Sequence, residues 1–434
     1  MTARKPTVRE VSTSDPPVGS SIVEPRWLRT DLAGQRITAV LATDGPGKDF
    51  EHAAVQKFVE ATGIQVNNLG GPEAMTDRLV SYLRILGAQA PDIDVCMIDM
   101  IWPSIMHHHA VDLTDAFRAR NIEVLGPIVE NNTIGSKLVG IPWHADAGLL
   151  YYRTDLLAKY GYGGAPETWT ELQDMATEIS AGERGANPAF SGYVWPGAAS
   201  EGLTCNGLEW QFSNGGGTII EDDGTVSVNN EQVIAMFETA RDWVGTISSA
   251  GVTDFNQVDA RGVWRDGNAA FMRGWSGVYV ASNAMDSGIR GKLDVTQLPV
   301  GEAEGARRAA TLGGWQIMVS QYSKRPDAAI EFAKYLTSRE LQKAYAIERS
   351  LLPTIIDLYS DVDVQAANPH FAKIVDVLNS GGVIRPSNVA ADLYGEVSTV
   401  YSTTLNLILA GQVTSVPASI EGLARQLEDI MSEL

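Results

Sequence analysis

The sequence predicts an α/β fold of two lobes, and three observations carry that expectation. The chain has 434 residues, more than one hydrophobic core usually covers. Strand and helix signals alternate from Ile37 to Ile98, and the alternation returns in the middle of the chain. From Pro326 onward the apolar period is helical, with helices expected over Asp327–Leu336, Arg339–Ala346 and Ala418–Leu434.

In chain order, residues 1–35 include TSDPPVGSS, several charges and almost no apolar period, which predicts a flexible leader. The segment has no hydrophobic h-region, so it is not itself a signal peptide. ITAVLAT (Ile37–Thr43) reads as a strand ending at the turn residues Asp44, Gly45, Pro46 and Gly47. Phe50, Ala54, Val55, Phe58 and Val59 then recur at helical spacing, with Gly63 as C-cap, and IQV opens a second strand. Leu79, Leu83 and Leu86 share one face of a second helix. It leads into IDVCMI (Ile93–Ile98), whose nearly unbroken apolar run suits a strand covered on both faces. This order implies a parallel sheet. Further on, EGLTCNGLEWQFSNGG reads as helix then turn, DDGTVSV as a hairpin turn into a strand, and Asn230–Val244 as helix.

Composition excludes several functions. With 33 Lys plus Arg against 53 Asp plus Glu the formal charge is −20, which repels nucleic acid and anionic lipid. No apolar run approaches the roughly 20 residues that a membrane helix needs. Cys96 and Cys205 are too few for a disulfide framework or a cysteine zinc site. DGPGKDF lacks a phosphate loop's first Gly and final Ser or Thr, those positions being Ala42 and Asp49. His107, His108 and His109 are consecutive, so on a helix they point about 100° apart and cannot converge on one metal ion. GWSGV lacks the last Gly of a nucleophile elbow. No metal, cofactor or catalytic motif is expected.

What remains is a set of carboxylates and aromatics at strand ends. Asp99 and Trp102 follow a buried strand in MIDMIWP, and Asp146 follows a second strand signal in IPWHADAGLLYYR. Open α/β sheets bind ligands at such carboxyl ends. GNAAFMRGWSGVYV adds Trp275 and Tyr279, and ATLGGWQIMVS adds Trp315. Ionised carboxylates that accept from hydroxyls, together with aromatic faces that pack on C–H surfaces, are what a sugar requires. A glycoside hydrolase using Asp99 and Asp146 as acid and nucleophile is the rival reading.

DIDVCMIDMIWP, DAGLLYYRTDLLAKYGYGGAPETWTEL, EGLTCNGLEWQFSNGGG, GNAAFMRGW and ATLGGW occur in this order. In them the chain resembles the trehalose and maltose binding branch of the ABC-importer sugar-binding proteins, from about Ile37 to near its C-terminus. The resemblance implies a two-lobed periplasmic-binding-protein fold of the class II-like, maltose-binding-protein type, with a hinge and an interlobe cleft. Lobe 1 would comprise residues 36–146 and 309–364, and lobe 2 residues 147–308 and 365–434, with crossings near Asp146, Ala309 and Val364. Arg78, Asp99 and Asp146 would take sugar hydroxyls, and Gly313, Gly314 and Trp315 would line the first lobe's wall. Trp275 would stack on a ring, and Arg385 would close the cleft.

The resemblance also implies a monomer outside the cytoplasm, anchored to the membrane and partnered by permease subunits and their ATPase. No bond is broken in that role, and the ligand is a small α-glucoside such as trehalose, maltose, sucrose or glucosylglycerol. Four positions depart from the family pattern. Lys48 followed by Asp49 stands where a Glu is expected after the first strand, and His144 replaces a Tyr. Gly277, and Ala390 with Ala391, stand where aromatics are expected. Lys48 at a helix start could place an ammonium in the cleft, so an acidic or otherwise substituted glycoside is the alternative ligand.

Overall fold

The computed structural model describes residues 18–41, 45–72 and 75–434. It contains two main sheets. The first has seven strands: β1 (Arg36–Leu41), β2 (Gln65–Gly70), β3 (Val95–Asp99), β6 (Ile141–Ala147), β11 (Ala310–Val319), β12 (Leu352–Pro353) and β13 (Gly382–Val383). The second has four: β7 (Leu149–Arg153), β8 (Ser191–Val194), β9 (Ala269–Gly274) and β10 (Leu293–Gln297). The short strands β4 (Thr133–Ile134) and β5 (Lys137–Leu138) pair with each other.

In the first sheet the order is β12-β6-β11-β3-β1-β2, with β13 against β11. Alternation along each strand feeds two cores. Ile37, Ala39 and Leu41 of β1 and Val95 and Met97 of β3 pack with Phe50, Phe58, Phe332 and Tyr335 on one face. Val40, Cys96 and Ile98 join Tyr82, Leu86 and Trp102 on the other. β1, β2 and β3 are parallel, as the strand-helix order implies. β11, however, runs antiparallel between β3 and β6, because it enters the first sheet from the second. The second sheet has order β10-β7-β9-β8. Around it lie the helices Trp169–Glu183, Glu201–Ser213, Glu231–Trp243, Tyr394–Leu409 and Val416–Met431.

Three expectations need correction. Of the proposed leader, residues 1–17 lie outside the described residues, but 18–35 are packed rather than loose. Ile22 and Leu32 are buried, the Glu348 carboxylate accepts from the Gly19 and Ser21 amides at 2.7 and 2.9 Å, and Glu331 accepts from the Arg29 amide at 2.9 Å. Isolated apolar anchors and long-range hydrogen bonds hold the segment, so it shows no period in sequence. The first strand ends at Leu41; Ala42, Thr43 and Asp44 lie outside the described residues, and Gly45–Gly47, expected as turn, begin the helix Gly45–Thr62. DDGTVSV makes its turn, with Glu221 N donating to Thr225 O at 2.8 Å, but only the single bridge Ile220 to Val226 follows, not a strand.

The chain leaves the first sheet between β6 and β7 at Gly148, where space for any side chain is absent: a Cβ there would lie 1.9 Å from Glu209 Oε1. It returns between β10 and β11. It passes once more after β13, beyond which Tyr394–Leu409 packs on the helix Glu201–Ser213.

Candidate functional site

β11 carries Gly313, Gly314 and Trp315 between two carboxylate strands. Gly313 pairs with Asp146 of β6, and Trp315 pairs with both His144 of β6 and Asp99 of β3. The register slips at Trp315 and Gln316, and Gly314 takes φ +122°, a conformation L side chains avoid. A Cβ on Gly314 would also meet the His144 carbonyl oxygen at 2.2 Å. Freed of bulk, its carbonyl accepts from Met100 N at 3.1 Å and fixes the turn after Asp99. Asp99 Oδ1 accepts from Ile101 N at 3.1 Å.

The second sheet brings its own wall. Asp146 Oδ1 accepts from Ala147 N at 2.9 Å and from Ser276 N, beyond β9, at 2.8 Å. The half-buried Trp275 ring rests on Gly313, where a Cβ would come within 3.1 Å of the ring. Tyr151 Oη donates to the Trp275 and Ser276 carbonyls at 2.8 and 3.0 Å, holding this turn in place. Under the Trp275 ring, 4.1 Å from its centroid, lies the Arg273 guanidinium, which forms a fully buried ion pair with Glu209. Glu209 Oε1 accepts in addition from Thr311 N at 3.1 Å, tying the helix Glu201–Ser213 to the start of β11.

Arg385 spans the gap. Its Nη1 donates to Glu201 at 2.8 Å, while Nη2 donates to the Leu312 carbonyl at 3.3 Å and lies 3.7 Å from Asp99 Oδ1. Burial pushes the Asp99 carboxyl up to about 6, with Arg385 pulling the other way. Asp146 is likewise raised by burial to about 6, against the pull of its Ser276 and Ala147 hydrogen bonds. Burial lowers His144 to about 4, so its imidazole is neutral at pH 7, and its Nδ1 is buried without a partner.

The structure therefore gathers Asp99, Asp146, His144, Gly313, Gly314, Trp315, Trp275 and Arg385 around one junction of the two sheets. Trp102 is also there but is 2% exposed, packed edge-on between Tyr82 and Trp315, so it supports the Trp315 ring instead of offering a face of its own. Arg78 is buried as well. It donates to the carbonyls of Leu41 and Pro72 at 3.0 and 3.1 Å and sits 5.7 Å from the Trp315 ring centroid, so it braces the wall. Lys48 and Asp49 are exposed in the first turn of Gly45–Thr62. Tyr279 faces His370, with ring centroids 4.0 Å apart.

Glu201, Glu209 and Ser276 are site residues that sequence reasoning did not select. Glu201 opens its helix, where an acidic residue is ordinary because it complements the helix dipole. Glu209 is one turn-face residue among apolar neighbours, and only its full burial betrays a partner.

Comparison with known proteins gives a consistent picture. The sequence profile of the bacterial extracellular solute-binding protein family matches residues 44–343. A probable ABC transporter-binding protein of Deinococcus radiodurans is 42% identical over 395 residues, covering 90% of this chain and 93% of that one. The maltodextrin-binding protein of Bacillus subtilis is 25% identical over 253 residues, 57% of this chain and 56% of its own length. Among solved structures, maltose-bound MalE3 of T. maritima superposes with a TM-score of 0.82 at 34% identity, covering 92% of this chain and all of that one. A ribitol complex of a solute-binding protein from Agrobacterium radiobacter, at 20% identity over 92% of this chain and 99% of that one, shares the fold with a TM-score of 0.78.

Proposed function

This chain belongs to the bacterial extracellular solute-binding protein family, and from that premise we propose that it captures a small α-glucoside in the cleft between its two lobes and hands it to a membrane permease. It is the substrate-binding subunit of an ABC sugar importer, acts outside the cytoplasm and is not an enzyme. Asp99 and Asp146 are thus acceptors for hydroxyl groups, not an acid and nucleophile. No helix among the described residues is long and apolar enough to cross a membrane. The protein works as a monomer, with the permease and its ATPase as partners.

One observation carries the ligand class: the buried carboxylate of Asp99 and the half-buried one of Asp146 flank β11, and Trp275 from the other sheet rests against the same strand at Gly313. Hydroxyls donating to carboxylates and a C–H face stacking on an indole are complementary to one pyranose ring. The maltose complex of MalE3, 34% identical to this chain, supports the glucoside reading. Gly277, with open space where a side chain would stand, leaves the second ring, or a glycerol-like aglycone, less tightly defined, whereas Ala390 is buried in the core.

Titration calorimetry with trehalose, maltose, sucrose and glucosylglycerol tests the proposal. One site with Kd on the order of micromolar, about −8 kcal/mol, is expected for at least one of them. Asp99→Ala and Trp275→Ala should each weaken it by roughly 1 to 3 kcal/mol with the melting temperature of the free protein preserved to within a few degrees. Unchanged affinity in both variants places the ligand elsewhere, and absence of binding or thermal stabilisation by every sugar removes the glucoside reading.

A further inference from the structure

We infer that Glu201 is the specificity-setting residue of the cleft: by occupying one arm of Arg385 it keeps that arginine from receiving an anion and restricts the site to uncharged, hydroxyl-rich glycosides. The inference rests on the glucoside reading and extends it to ligand charge.

The geometry around Arg385 is that of a buried cation already matched by a carboxylate. A carboxylate is gripped by a guanidinium through two parallel N–H bonds along one edge. In this protein Nη1 is taken by Glu201 at 2.8 Å, and Nη2 by the Leu312 carbonyl at 3.3 Å, with Asp99 3.7 Å away. Only Nε is buried without a partner. Each Nη keeps a second N–H, so hydroxyls still find donors here, but the positive charge is already matched by the Glu201 carboxylate, and a ligand carboxylate would have to share that one cation with Glu201 and Asp99. Glu201 is in turn held in place by Ser398 Oγ at 2.6 Å and by Tyr394 Oη, both from the helix Tyr394–Leu409.

Charge points the same way. Arg385 is bracketed by Glu201 and Asp99, and Asp146 lies across β11. The neighbouring thiol of Cys205 is raised to about 12 by burial and is uncharged. The other cations at the junction are engaged, Arg273 by Glu209 and Arg78 by the carbonyls of Leu41 and Pro72. An anionic ligand would therefore meet the four carboxylates Asp99, Asp146, Glu201 and Glu209 against the three guanidinium groups of Arg78, Arg273 and Arg385, whereas hydroxyls find acceptors.

The test uses matched ligand pairs that differ by one carboxylate: glucosylglycerol against glucosylglycerate, and maltitol against maltobionate. The intact protein should prefer the neutral member by about tenfold or more, a gap of about 1.4 kcal/mol. In Glu201→Gln that ratio should fall by about tenfold, with a real gain in affinity for the acidic member, and Glu201→Asp should restore the original preference. Loss of packing alone cannot produce a gain. Tyr394→Phe and Ser398→Ala, which loosen Glu201 without removing its charge, should shift the ratio in the same direction by a smaller factor, and they keep the test open should Glu201→Gln fold poorly. A Glu201→Gln protein that binds neutral sugars and keeps the original ratio overturns the inference alone, as does an intact protein that takes both members of each pair equally. If no neutral glycoside binds the intact protein, the glucoside reading falls and the inference falls with it.

Discussion

Asp99 and Asp146 owe their raised carboxyl values, about 6 in each case, to burial, and this has a consequence for binding. A sugar hydroxyl donates to the ionised form, so ligand favours the deprotonated carboxylate. Affinity should therefore be full above about pH 7 and fall as the pH drops through 6, by up to about tenfold per unit for each group that must ionise. For folding the sign is opposite. A carboxyl whose folded value lies above its unfolded one costs stability when ionised, so these two groups favour the fold as pH falls from 6 towards 4. Calorimetric titrations at pH 7.5, 6 and 5 check the first point, and affinity rising towards acid would refute it. Gly314 gives a second expectation. With φ at +122° and the His144 carbonyl oxygen 2.2 Å from any Cβ, Gly314→Ala should destabilise by about 2 to 4 kcal/mol, read as a lowered denaturant midpoint. Lys48 is exposed in the first turn of its helix, and Lys48→Glu should leave affinity for a neutral glucoside within about twofold. At this scale the carboxylates and Trp275 are legible in sequence because each sits at the end of an apolar run or beside a Gly. Glu201 and Glu209 are not, since a helix-opening glutamate and a mid-helix glutamate have ordinary explanations until a fold places an arginine against them.

Elements differ in the same way. Strands buried on both faces, such as β3 with every residue buried, announce themselves as unbroken apolar runs. The two-residue strands β12 and β13 carry no pattern, and nothing local to ATLGGWQIMV tells that β11 runs against β3 instead of with it. Its direction follows from where the chain comes back from the second sheet, which is a property of the whole path. The segment from Val18 to Gln35 is the clearest case of an element invisible to periodicity. Ile22 and Leu32 are buried in the first lobe's core, and the carboxylates of Glu348 and Glu331 take amides from Gly19, Ser21 and Arg29. Deleting the chain up to Gln35 should forfeit about 3 to 6 kcal/mol and lower the melting temperature by about 5 °C, with sugar affinity retained because no site residue precedes Lys48. A truncated protein that melts with the full chain would show the segment to be a passive appendage.

Taken whole, the molecule is two sheets joined by three chain passages, and the proposed site lies where both walls meet. The walls touch through the Trp275 ring on Gly313, through Thr311 N donating to Glu209, and through further hydrogen bonds. Besides Ser276 to Asp146 and the arms of Arg385, Ser104 Oγ donates to the Ser387 carbonyl at 2.9 Å and Asn388 Nδ2 to the Asn131 carbonyl at 2.8 Å. A ligand bridging Asp99 on one side and Trp275 on the other favours the apposed arrangement only by its differential affinity for it. Sugar at saturation should accordingly reduce the radius of gyration, about 22 Å for a compact chain of this length, and alter the fluorescence of Trp275 and Trp315. Asn388 separates closure from contact. Its amide donates to the Asn131 carbonyl and to neither carboxylate nor the Trp275 ring, so, if opening of the cleft parts these two residues, Asn388→Ala removes a bond of the apposed form without removing a sugar contact. Such a bond contributes about 1 kcal/mol, so the apposed fraction should fall up to about fivefold, and apparent affinity falls with that fraction while the bound state keeps all its sugar contacts. The expected signature is a Kd raised up to about fivefold for every sugar alike, with their ranking unchanged. A variant that reorders the sugars would place Asn388 in the binding surface, and one with unaltered Kd would show that apposition is complete without it.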